Sequence, residues 1–281
     1  MKITPDHTCR VFGSPWADVY CTDINSARHY GKHWHATYEL GLLESGAQSS
    51  ASGRGQVEAL AGNLITTNPG EVHDGRPMGG ASRRWRMVYL EPAVISSMLG
   101  DPQSCAVADV ELARPVIEDE RLSVALREFF RRAENGGGQQ LTNTHVLACE
   151  ESLVQTCALL LNYHSTTPPV REIGGDVRRV RERLGDDLLN PPTLTELASM
   201  CGLSKYQVLR RFEKTYGVPP HAWLLQQRTE RARGLIRNGL SLAQVAAACG
   251  FADQSHMTRL FIRHFGFTPG AWQKVAVRAL Q

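Results

Sequence analysis

Histidine and glutamate residues occur at a spacing that could bind a metal ion or a polar small molecule. His33 and His35 are followed by Glu39 and then by Gly46, which gives the pattern H-x-H-x3-E-x6-G. Alternate residues of a β-strand point to the same face, so a strand here would place both imidazoles on one side. Imidazole and carboxylate groups bind iron, manganese or zinc, and they also form hydrogen bonds with polar molecules. The chemistry that this segment predicts is therefore ligand binding.

A second segment predicts a further imidazole for the same site. Gly62 is followed by Pro69-Gly-Glu-Val-His73, in which the interval from proline to histidine is one residue shorter than in cupin enzymes. Together the two segments resemble the paired motifs of the cupin jelly roll, where histidine and glutamate side chains can hold a metal ion inside the barrel. The resemblance implies that any metal ion would be held by His33, His35, Glu39 and His73. The residues expected to line a ligand pocket are His33, His35, Tyr38, Glu39 and His73.

Polar and basic side chains that could contact nucleic acid occur in two related segments. Residues 194–223 align with residues 242–272 when Gln254 is treated as a single insertion, and 10 of the 30 aligned pairs are identical. Chance does not place that many identities in register, so the chain contains an internal repeat of one supersecondary unit.

Each copy of the repeat predicts a helix, a tight turn and a second helix. Residues 193–196 and 241–244 are both capping boxes, in which a hydroxyl group and a Glu or Gln three residues later satisfy amides at a helix start. Gly202 and Gly250 follow where the turn needs a left-handed residue, a conformation that glycine adopts at little cost. This order of signals predicts two helix-turn-helix units.

The second helix of each unit presents polar and basic side chains away from the predicted core. Amide, hydroxyl, imidazole and guanidinium groups can contact base edges or phosphates in a major groove. An ordinary solvated face is the alternative for a single helix, but two such helices in one repeat favour DNA binding. The outward residues are Lys205, Tyr206, Gln207, Arg210, Arg211 and Lys214 in the first copy, and Gln254, Ser255, His256, Thr258, Arg259 and Arg263 in the second.

The second copy also resembles a known family, the AraC/XylS transcriptional regulators. Residues 240–272 contain a GF turn, an FxRxFG segment and a closing TPxxW, which are features of that family's signature. The resemblance implies that two recognition helices enter successive major-groove segments on one DNA face, held apart by a spacer helix over residues 220–238. It places base-reading positions at Tyr206, Leu209, Arg210, Gln254, Ser255, His256 and Arg259, with Leu209 expected to contact a thymine methyl group.

The middle of the chain predicts two helices, over residues 117–134 and 143–164, joined by a glycine-rich turn at residues 135–138. The second of these helices has a wide apolar stripe. In the family that the sequence resembles, such a helical pair commonly mediates dimerisation, so the resemblance implies a homodimer. The residues themselves leave a second interpretation open, in which the stripe covers the barrel of its own chain.

The first hundred residues predict an all-β sandwich or barrel, because short apolar runs alternate with glycine and proline. In the last predicted strand, alternation puts Arg84 and Arg86 on the face opposite Trp85. We interpret this basic run as a solvated strand edge and not as a second nucleic-acid patch, although an arginine turned inward could bind an anionic effector. Strands are predicted over residues 10–12, 18–21, 38–43, 63–67 and 84–90.

The charge distribution places a positive field on the half of the chain that carries the repeat. Residues 171–281 hold 17 Lys and Arg against 9 Asp and Glu, a balance of +8, whereas the remaining residues have a balance of −5. Phosphate binding requires such a field.

The seven cysteines form no CxxC pair, and Cys201 and Cys249 occupy equivalent helical positions expected to be buried, which predicts free thiols in a reducing cytoplasm. No apolar run reaches the length of a membrane span, so we expect a cytoplasmic protein without a membrane partner.

These patterns predict an α+β protein of two domains. Residues 1–110 are expected to form a cupin-like jelly-roll barrel with flanking helices that binds an effector, and residues 111–165 a helical dimerisation segment. Residues 166–175 are expected to be a linker, and residues 176–281 an all-α domain of two helix-turn-helix units joined by the spacer helix.

The function that we expect is that of a non-enzymatic transcription regulator, controlled by a small molecule, which binds double-stranded DNA at promoter half-sites. The family resemblance implies activation, contact with RNA polymerase, and an organic effector bound without metal. Two alternatives stay open. One is a metal-dependent cupin enzyme or metal sensor fused to a DNA-binding domain, and the other is a constitutive DNA-binding protein whose barrel is only a dimerisation scaffold.

Overall fold

The computed structural model describes residues 7–79, 82–99, 110–135, 142–166, 176–265 and 267–276. The chain divides into two compact units. The N-terminal unit consists mainly of Met1–Leu141 and Ala148–Ile173, and the C-terminal unit mainly of Gly174–Leu203 and Gln207–Gln281. The short segments Thr142–Leu147 and Ser204–Tyr206 group with the C-terminal and N-terminal units respectively. Of the predicted linker at residues 166–175, all but Thr166 lies outside the described residues, as does most of the predicted turn at residues 135–138.

The N-terminal unit is built from two antiparallel sheets. The larger sheet has the strand order β1-β2-β9-β4-β7-β10 and the smaller sheet the order β3-β8-β5-β6. The strands are β1 (Thr8–Gly13), β2 (Val19–Ser26), β3 (Tyr30–His33), β4 (Tyr38–Ser45), β5 (Ala47–Ser52), β6 (Gly55–Leu60), β7 (Leu64–Thr67), β8 (His73–Pro77), β9 (Arg83–Leu90) and β10 (Val116–Ile117).

Side chains from both sheets meet in one core. Leu43, Trp85 and Met87 of the larger sheet pack in a buried cluster with Ala59 of the smaller sheet. The alternation of apolar residues along β9 turns Trp85 and Met87 inward, because successive side chains of a strand point to opposite faces. The arrangement is the cupin-like sandwich that the sequence predicts.

The five predicted strands all belong to the larger sheet. No strand of the smaller sheet was predicted, although its residues His33 and His73 were predicted to bind a ligand. Strands β5 and β8 read AQSSAS and HDGRP, which lack the apolar alternation that marks a half-buried strand. They are strands because they pair with each other and with β6 and β3. Pairing of this kind is a tertiary contribution that intrinsic strand preference does not supply.

Among the described residues, three helices flank the sandwich: α1 (Pro92–Leu99), α2 (Glu120–Asn135) and α3 (Asn143–His164). The bounds of α3 agree with the prediction, but α2 begins later than predicted, because Ile117 belongs to β10 and Asp119 caps the helix. The Asp119 side chain accepts hydrogen bonds from the amides of Arg121 and Leu122. Helix α2 packs against β1, where the rings of Phe130 and Phe12 meet edge to face.

The apolar stripe of α3 is buried within the chain itself. Val154 and Leu160 are each 0% exposed. This burial favours the interpretation in which the stripe covers the chain's own core, since a dimer surface would be exposed in the single chain.

In the part of the C-terminal unit that the structure describes, all regular secondary structure is helical. Its helices are α4 (Arg178–Asp186), α5 (Leu194–Cys201), α6 (Lys205–Tyr216), α7 (Pro220–Arg237), α8 (Leu242–Ala248), α9 (Gln254–Phe265) and α10 (Pro269–Ala276). Both predicted capping boxes are present at the starts of α5 and α8. Gly202 and Gly250 adopt the left-handed conformation, with φ of 62° and 73°. None of the described helices combines the length and the apolar composition needed to cross a bilayer.

The two helix-turn-helix units match more closely than the sequence alignment implies. Helices α6 and α9 both have 12 residues, and they begin at Lys205 and Gln254. Gln254 is therefore the first residue of α9 and not an insertion, and the extra residue lies in the turn after Gly250. Asp253 caps α9 by accepting a hydrogen bond from the His256 amide at 2.6 Å.

The spacer helix α7 and the second unit share a core in which Ala232, Ile236, Val245 and Phe261 are almost fully buried. The predicted spacer ends as expected, with Asn238 as the C-cap and Gly239 at a φ of 88°. The predicted burial of Cys201 and Cys249 at equivalent helical positions is only partly correct. Cys249 is buried, but Cys201 is partly exposed, and Cys249 lies one residue beyond the end of α8.

A buried arginine joins α7 to the turn of the second unit. Arg228 is 1% exposed. Its Nε donates to the Leu188 carbonyl at 2.7 Å and its Nη1 to the Gly250 carbonyl at 2.6 Å. Burial lowers the pKa of Arg228 to about 10. The carbonyl oxygens hold the charge in place without a carboxylate.

We predict that Gly250→Ala lowers the free energy of unfolding more than Gly202→Ala. Both substitutions put a side chain on a left-handed backbone, which costs about 1–2 kcal/mol. A Cβ at position 250 would also lie 2.9 Å from Nη2 of Arg228, whereas a Cβ at position 202 would meet no atom within 4 Å. Urea unfolding of the two variants measures the difference. Equal losses would mean that Arg228 moves aside at no cost.

Candidate functional site

A cavity of about 340 Å³ lies between the two sheets of the N-terminal unit. Its walls combine apolar side chains with a small set of polar ones, which is the usual composition of a small-molecule site. The apolar lining includes Ile24, Tyr30, Val57, Ile65, Trp85, Met87, Tyr89 and Val116, and the polar lining includes His33, His35, Glu39, Gln48, His73 and Arg83.

The three predicted histidines meet in this cavity. His33 ends β3 and His73 begins β8, and the two residues are paired across these strands. Their ring centroids are 4.4 Å apart, and the ring of His35 lies 5.0 Å from that of His33. One ring nitrogen from each histidine lies within 4.8 Å of the others. His35 follows the end of β3, so the backbone between β3 and β4 brings it to the cluster and strand alternation does not.

Glu39 adds a buried carboxyl group beside the histidines. Its side chain is 3% exposed, and its Oε1 lies 3.6 Å from Nε2 of His35. Oε1 makes no hydrogen bond with the described part of the chain. Burial raises the pKa of Glu39 to about 8, against a smaller opposing effect of a hydrogen bond with Thr67. Glu39 is therefore mainly protonated at neutral pH and can donate as well as accept a hydrogen bond.

The imidazoles of His35 and His73 are neutral at neutral pH. Burial lowers the pKa of His35 and of His73 below the ordinary value of 6.5. Nδ1 of His33 lies 2.7 Å from the Gly31 carbonyl, and Nδ1 of His73 lies 3.0 Å from the Glu71 carbonyl. A carbonyl only accepts, so both Nδ1 atoms carry a proton, and the neutral ring of His73 keeps a lone pair on Nε2.

These donors fit either of two kinds of ligand. Neutral imidazole nitrogens with one carboxyl group are the donor set of iron, manganese and zinc sites. Glu39 would have to lose its proton to serve as a metal ligand. The same groups supply hydrogen-bond acceptors and a donor for a polar organic molecule without any change of protonation.

Tyr38 does not belong to the cavity lining, contrary to the prediction. It precedes Glu39 on β4, so its side chain points to the opposite face of the sheet. The Tyr38 hydroxyl donates to the Val110 carbonyl at 2.7 Å, and the residue is 3% exposed.

Gln48 is a cavity residue that the sequence did not reveal, and Arg83 is the inward-turned arginine that was left open without being identified. Strand alternation contained the signal, since Arg83 lies on the same face of β9 as Trp85 and Met87. The interpretation of the basic run as a strand edge is wrong, because β9 lies inside the larger sheet between β2 and β4. On the outer face, Arg84 pairs with Asp23 and Arg86 with Glu44.

Helix α9 presents a largely polar face, on which Ile262 is also exposed. Gln254, Ser255, Arg259 and Arg263 are exposed, and His256 and Thr258 are half-buried. Residues four apart lie above one another on a helix, so Ser255, Arg259 and Arg263 form one column beside Gln254. Burial lowers the pKa of His256, whose ring packs edge to face on Phe251, so this imidazole is neutral.

Helix α6 exposes fewer of its predicted contacts. Arg210 and Lys214 are exposed, whereas Lys205, Tyr206, Gln207 and Arg211 are half-buried. Leu209 is only 6% exposed, which contradicts the expected contact with a thymine methyl group. Arg210 and Arg259 occupy the sixth position of α6 and of α9 respectively. The two second helices therefore offer a guanidinium group at the same place.

Two family models match the chain, one for each unit. Residues 17–153 match an AraC-like ligand binding domain, and residues 197–274 match a helix-turn-helix domain. The first match runs from β2 to the middle of α3, and the second runs from within α5 to within α10.

Curated relatives are transcriptional regulators. The chain is 25% identical over 231 residues to YbfI of Bacillus subtilis, an uncharacterized HTH-type transcriptional regulator, with 81% of each chain covered. It is 37% identical over 105 residues to the transcriptional activator NphR of a Rhodococcus species, covering 37% of this chain and 31% of the relative. A probable AraC family regulator from Rhodopseudomonas palustris matches with 25% identity and a TM-score of 0.34, over 36% of this chain and 95% of that one.

We predict that Glu39→Gln flattens the pH dependence of stability between about pH 5 and 8. The pKa of Glu39 in the folded chain, about 8, lies above its ordinary value of 4.5, so the native state keeps a proton that the unfolded chain releases in this window. The free energy of unfolding therefore falls as pH rises, by at most about 1.4 kcal/mol per pH unit. Glutamine is neutral throughout and does not undergo this loss.

Thermal unfolding across this pH window measures the effect. Glu58→Gln is the matched control, because Glu58 is an exposed glutamate on β6. The control should follow the parent protein. A decline of the melting temperature in Glu39→Gln that runs parallel to the parent would contradict a protonated Glu39.

Proposed function

The chain belongs to the AraC family of transcriptional regulators, and on that premise we propose that it is a sequence-specific DNA-binding regulator controlled by a small molecule in the cavity. In this proposal residues 1–110 sense the effector and residues 111–165 form the helical segment. Residues 166–175 link them to the DNA-binding part, residues 176–281.

The observation that carries the proposal is the pair of equivalent second helices, α6 and α9. Both have 12 residues and both carry an exposed arginine at the sixth position. A guanidinium group can donate two hydrogen bonds to O6 and N7 of guanine in the major groove. The surplus of basic residues over acidic ones in residues 171–281 supplies the field that attracts the phosphate backbone.

The proposed DNA contacts divide by chemistry. Arg210 and Arg259 are assigned to base edges, and Gln254 to an adenine, which an amide can pair with. Ser255 and Arg263, in line with Arg259 on α9, are assigned to base edges or the adjacent phosphates. The full set is Lys205, Tyr206, Gln207, Arg210, Arg211, Gln254, Ser255, His256, Arg259 and Arg263, without the buried Leu209.

The effector is proposed to bind in the cavity between the sheets. A volume of about 340 Å³ suits a small organic molecule. His33, His35, Glu39 and His73 are proposed to bind its polar groups through hydrogen bonds. Because the donors suit an uncharged polar group without loss of a proton, we propose that the cluster works without a resident metal ion. The curated relatives, being regulators, do not favour an enzymatic role for the barrel.

Regulation is proposed to follow from the family. The protein would act as a homodimer on promoter half-sites in the cytoplasm and activate transcription through contact with RNA polymerase. The relative NphR is described as a transcriptional activator, which supports activation over repression. The coupling requires that the effector binds two states of the protein with different affinity.

We predict that Arg210→Ala and Arg259→Ala each weaken binding to the specific operator by about 1–3 kcal/mol, because each removes a base contact. Arg231→Ala is the control, since Arg231 is exposed on the spacer helix α7. Gel-shift titrations with the upstream promoter and with scrambled duplex separate specific from nonspecific loss. Unchanged specific affinity in both variants would contradict the assignment of α6 and α9 as recognition helices.

Metal content tests the proposed mode of effector binding. We expect purified, dialysed protein to contain far less than one transition-metal ion per chain by mass spectrometry. His73→Ala and the exposed control His29→Ala should then give the same low content. A stoichiometric ion that His73→Ala loses and His29→Ala keeps would instead make the cluster a metal site.

A further inference from the structure

We infer that the effector is a small organic acid whose carboxylate is bound by Arg83, with its apolar body between the two sheets. This inference rests on the proposed function, because it takes the cavity to be the effector site. It adds the chemical class of the effector, which the two family models leave open.

Arg83 is a buried charge that faces the cavity. It begins β9 on the inward face and is 1% exposed. Burial lowers its pKa from the ordinary value of 12.5, against a smaller opposing effect of Tyr30. Placing a guanidinium ion in such surroundings costs free energy unless acceptors or an anion compensate it.

The partners of Arg83 are all neutral. Its Nε donates to Oε1 of Gln48 at 2.9 Å, and its Nη1 donates to the carbonyls of Ser26 and Arg28 at 3.3 and 3.1 Å. Within the described chain, Nη2 makes no hydrogen bond, and no carboxylate lies within ion-pair distance of the guanidinium. The two N–H groups of Nη2 are therefore left for a ligand.

Two other arginines of the chain have either a carboxylate partner or a hydrogen-bond acceptor for each nitrogen of the guanidinium. On the outer face of the same strand, Arg84 donates to both carboxylate oxygens of Asp23. In the C-terminal unit the buried Arg228 has an acceptor for each of its three nitrogens. Arg83 has neither a carboxylate nor a full set of acceptors.

Neighbouring residues fix the orientation of Arg83 and leave room beside Nη2. The guanidinium carbon lies 4.6 Å from the ring centroid of Trp85 and 5.8 Å from that of Tyr30. These aromatic contacts stabilise the cation and hold its plane. At Gly75 a Cβ would lie 3.3 Å from Nη2, so a larger residue there would crowd this nitrogen.

The rest of the lining selects a monoanion with an apolar body. Arg83 is the one Arg or Lys among the described residues that line the cavity. Glu71 and Asp74 also line it, and they would repel a doubly charged phosphate. The apolar wall formed by Ile24, Val57, Ile65, Met87 and Val116 favours an aromatic or aliphatic group of the ligand.

The test uses the full chain and matched pairs of probes: benzoate and benzamide, phenylacetate and phenylacetamide, and hexanoate and hexanamide. We expect at least one carboxylate to raise the melting temperature, since a ligand bound only by the native state stabilises it. The corresponding amide should bind about tenfold or more weakly, because it lacks the charge that strengthens the hydrogen bond to Arg83.

Three variants assign the effect to Arg83. Arg83→Met should abolish the difference between carboxylate and amide, and Arg83→Lys should retain part of it, because lysine keeps the charge but not the planar donor set. Arg84→Met is the matched control, as it removes the neighbouring arginine from the outer face and should leave the difference unchanged. If Arg83→Met does not fold, the difference between carboxylate and amide binding in the parent protein and in Arg83→Lys still tests the inference.

Three results would overturn the inference. The first is an amide that binds as tightly as its carboxylate, and the second is a panel in which no carboxylate raises the melting temperature. The third is a carboxylate effect that persists in folded Arg83→Met, which would give Arg83 a purely structural role. Gel-shift binding to the upstream promoter is measured on the same samples. If the parent protein shows no specific DNA binding with or without carboxylate, while a carboxylate still raises its melting temperature, the proposed function is refuted and the anion site remains supported.

Discussion

The need to satisfy buried charge is the constraint on which the structure of both units depends. A guanidinium ion removed from water must find acceptors in fixed positions, so each buried arginine determines what surrounds it. Arg228 is met by the backbone carbonyls of Leu188 and Gly250, which ties the spacer helix α7 to the turn of the second helix-turn-helix unit. Arg83 is met by Gln48 and two carbonyls but keeps one nitrogen toward the cavity. The same chemistry therefore stabilises one unit and prepares the other for a ligand.

The cavity follows from the unequal composition of the two sheets. The larger sheet contributes apolar strands that bury their inner face, whereas the smaller sheet is made of small and polar residues in β5 and β8. Small side chains do not fill the space between the sheets, and their polar groups pair with backbone, as Ser50 does with the Asp74 carbonyl. The space that they leave is lined by both apolar and polar groups, as small-molecule sites usually are.

The DNA-binding unit shows how far local signals can specify structure. Capping boxes, left-handed glycines and apolar periodicity all act within a few residues, and they predicted α5, α8, both turns and the end of α7. Because the unit is duplicated, each signal occurs twice in the sequence. The alignment of the two copies did not show that the additional residue of the second copy lies in its turn. The start of α9 is set by Asp253 as its cap, and this places Gln254 on the helix.

The sequence by itself determined the two-domain architecture, the duplicated helix-turn-helix units and the set of histidines and Glu39, because these depend on local capping, periodicity and motif spacing. Only the tertiary structure decided which side chains face inward from the smaller sheet, that Tyr38 points away, that Leu209 is buried and that Arg83 lines the cavity. Strand pairing and burial join residues far apart in the chain, as Arg83 and Gln48 are. No local pattern encodes such a contact, since its free energy depends on the folded surroundings of both partners.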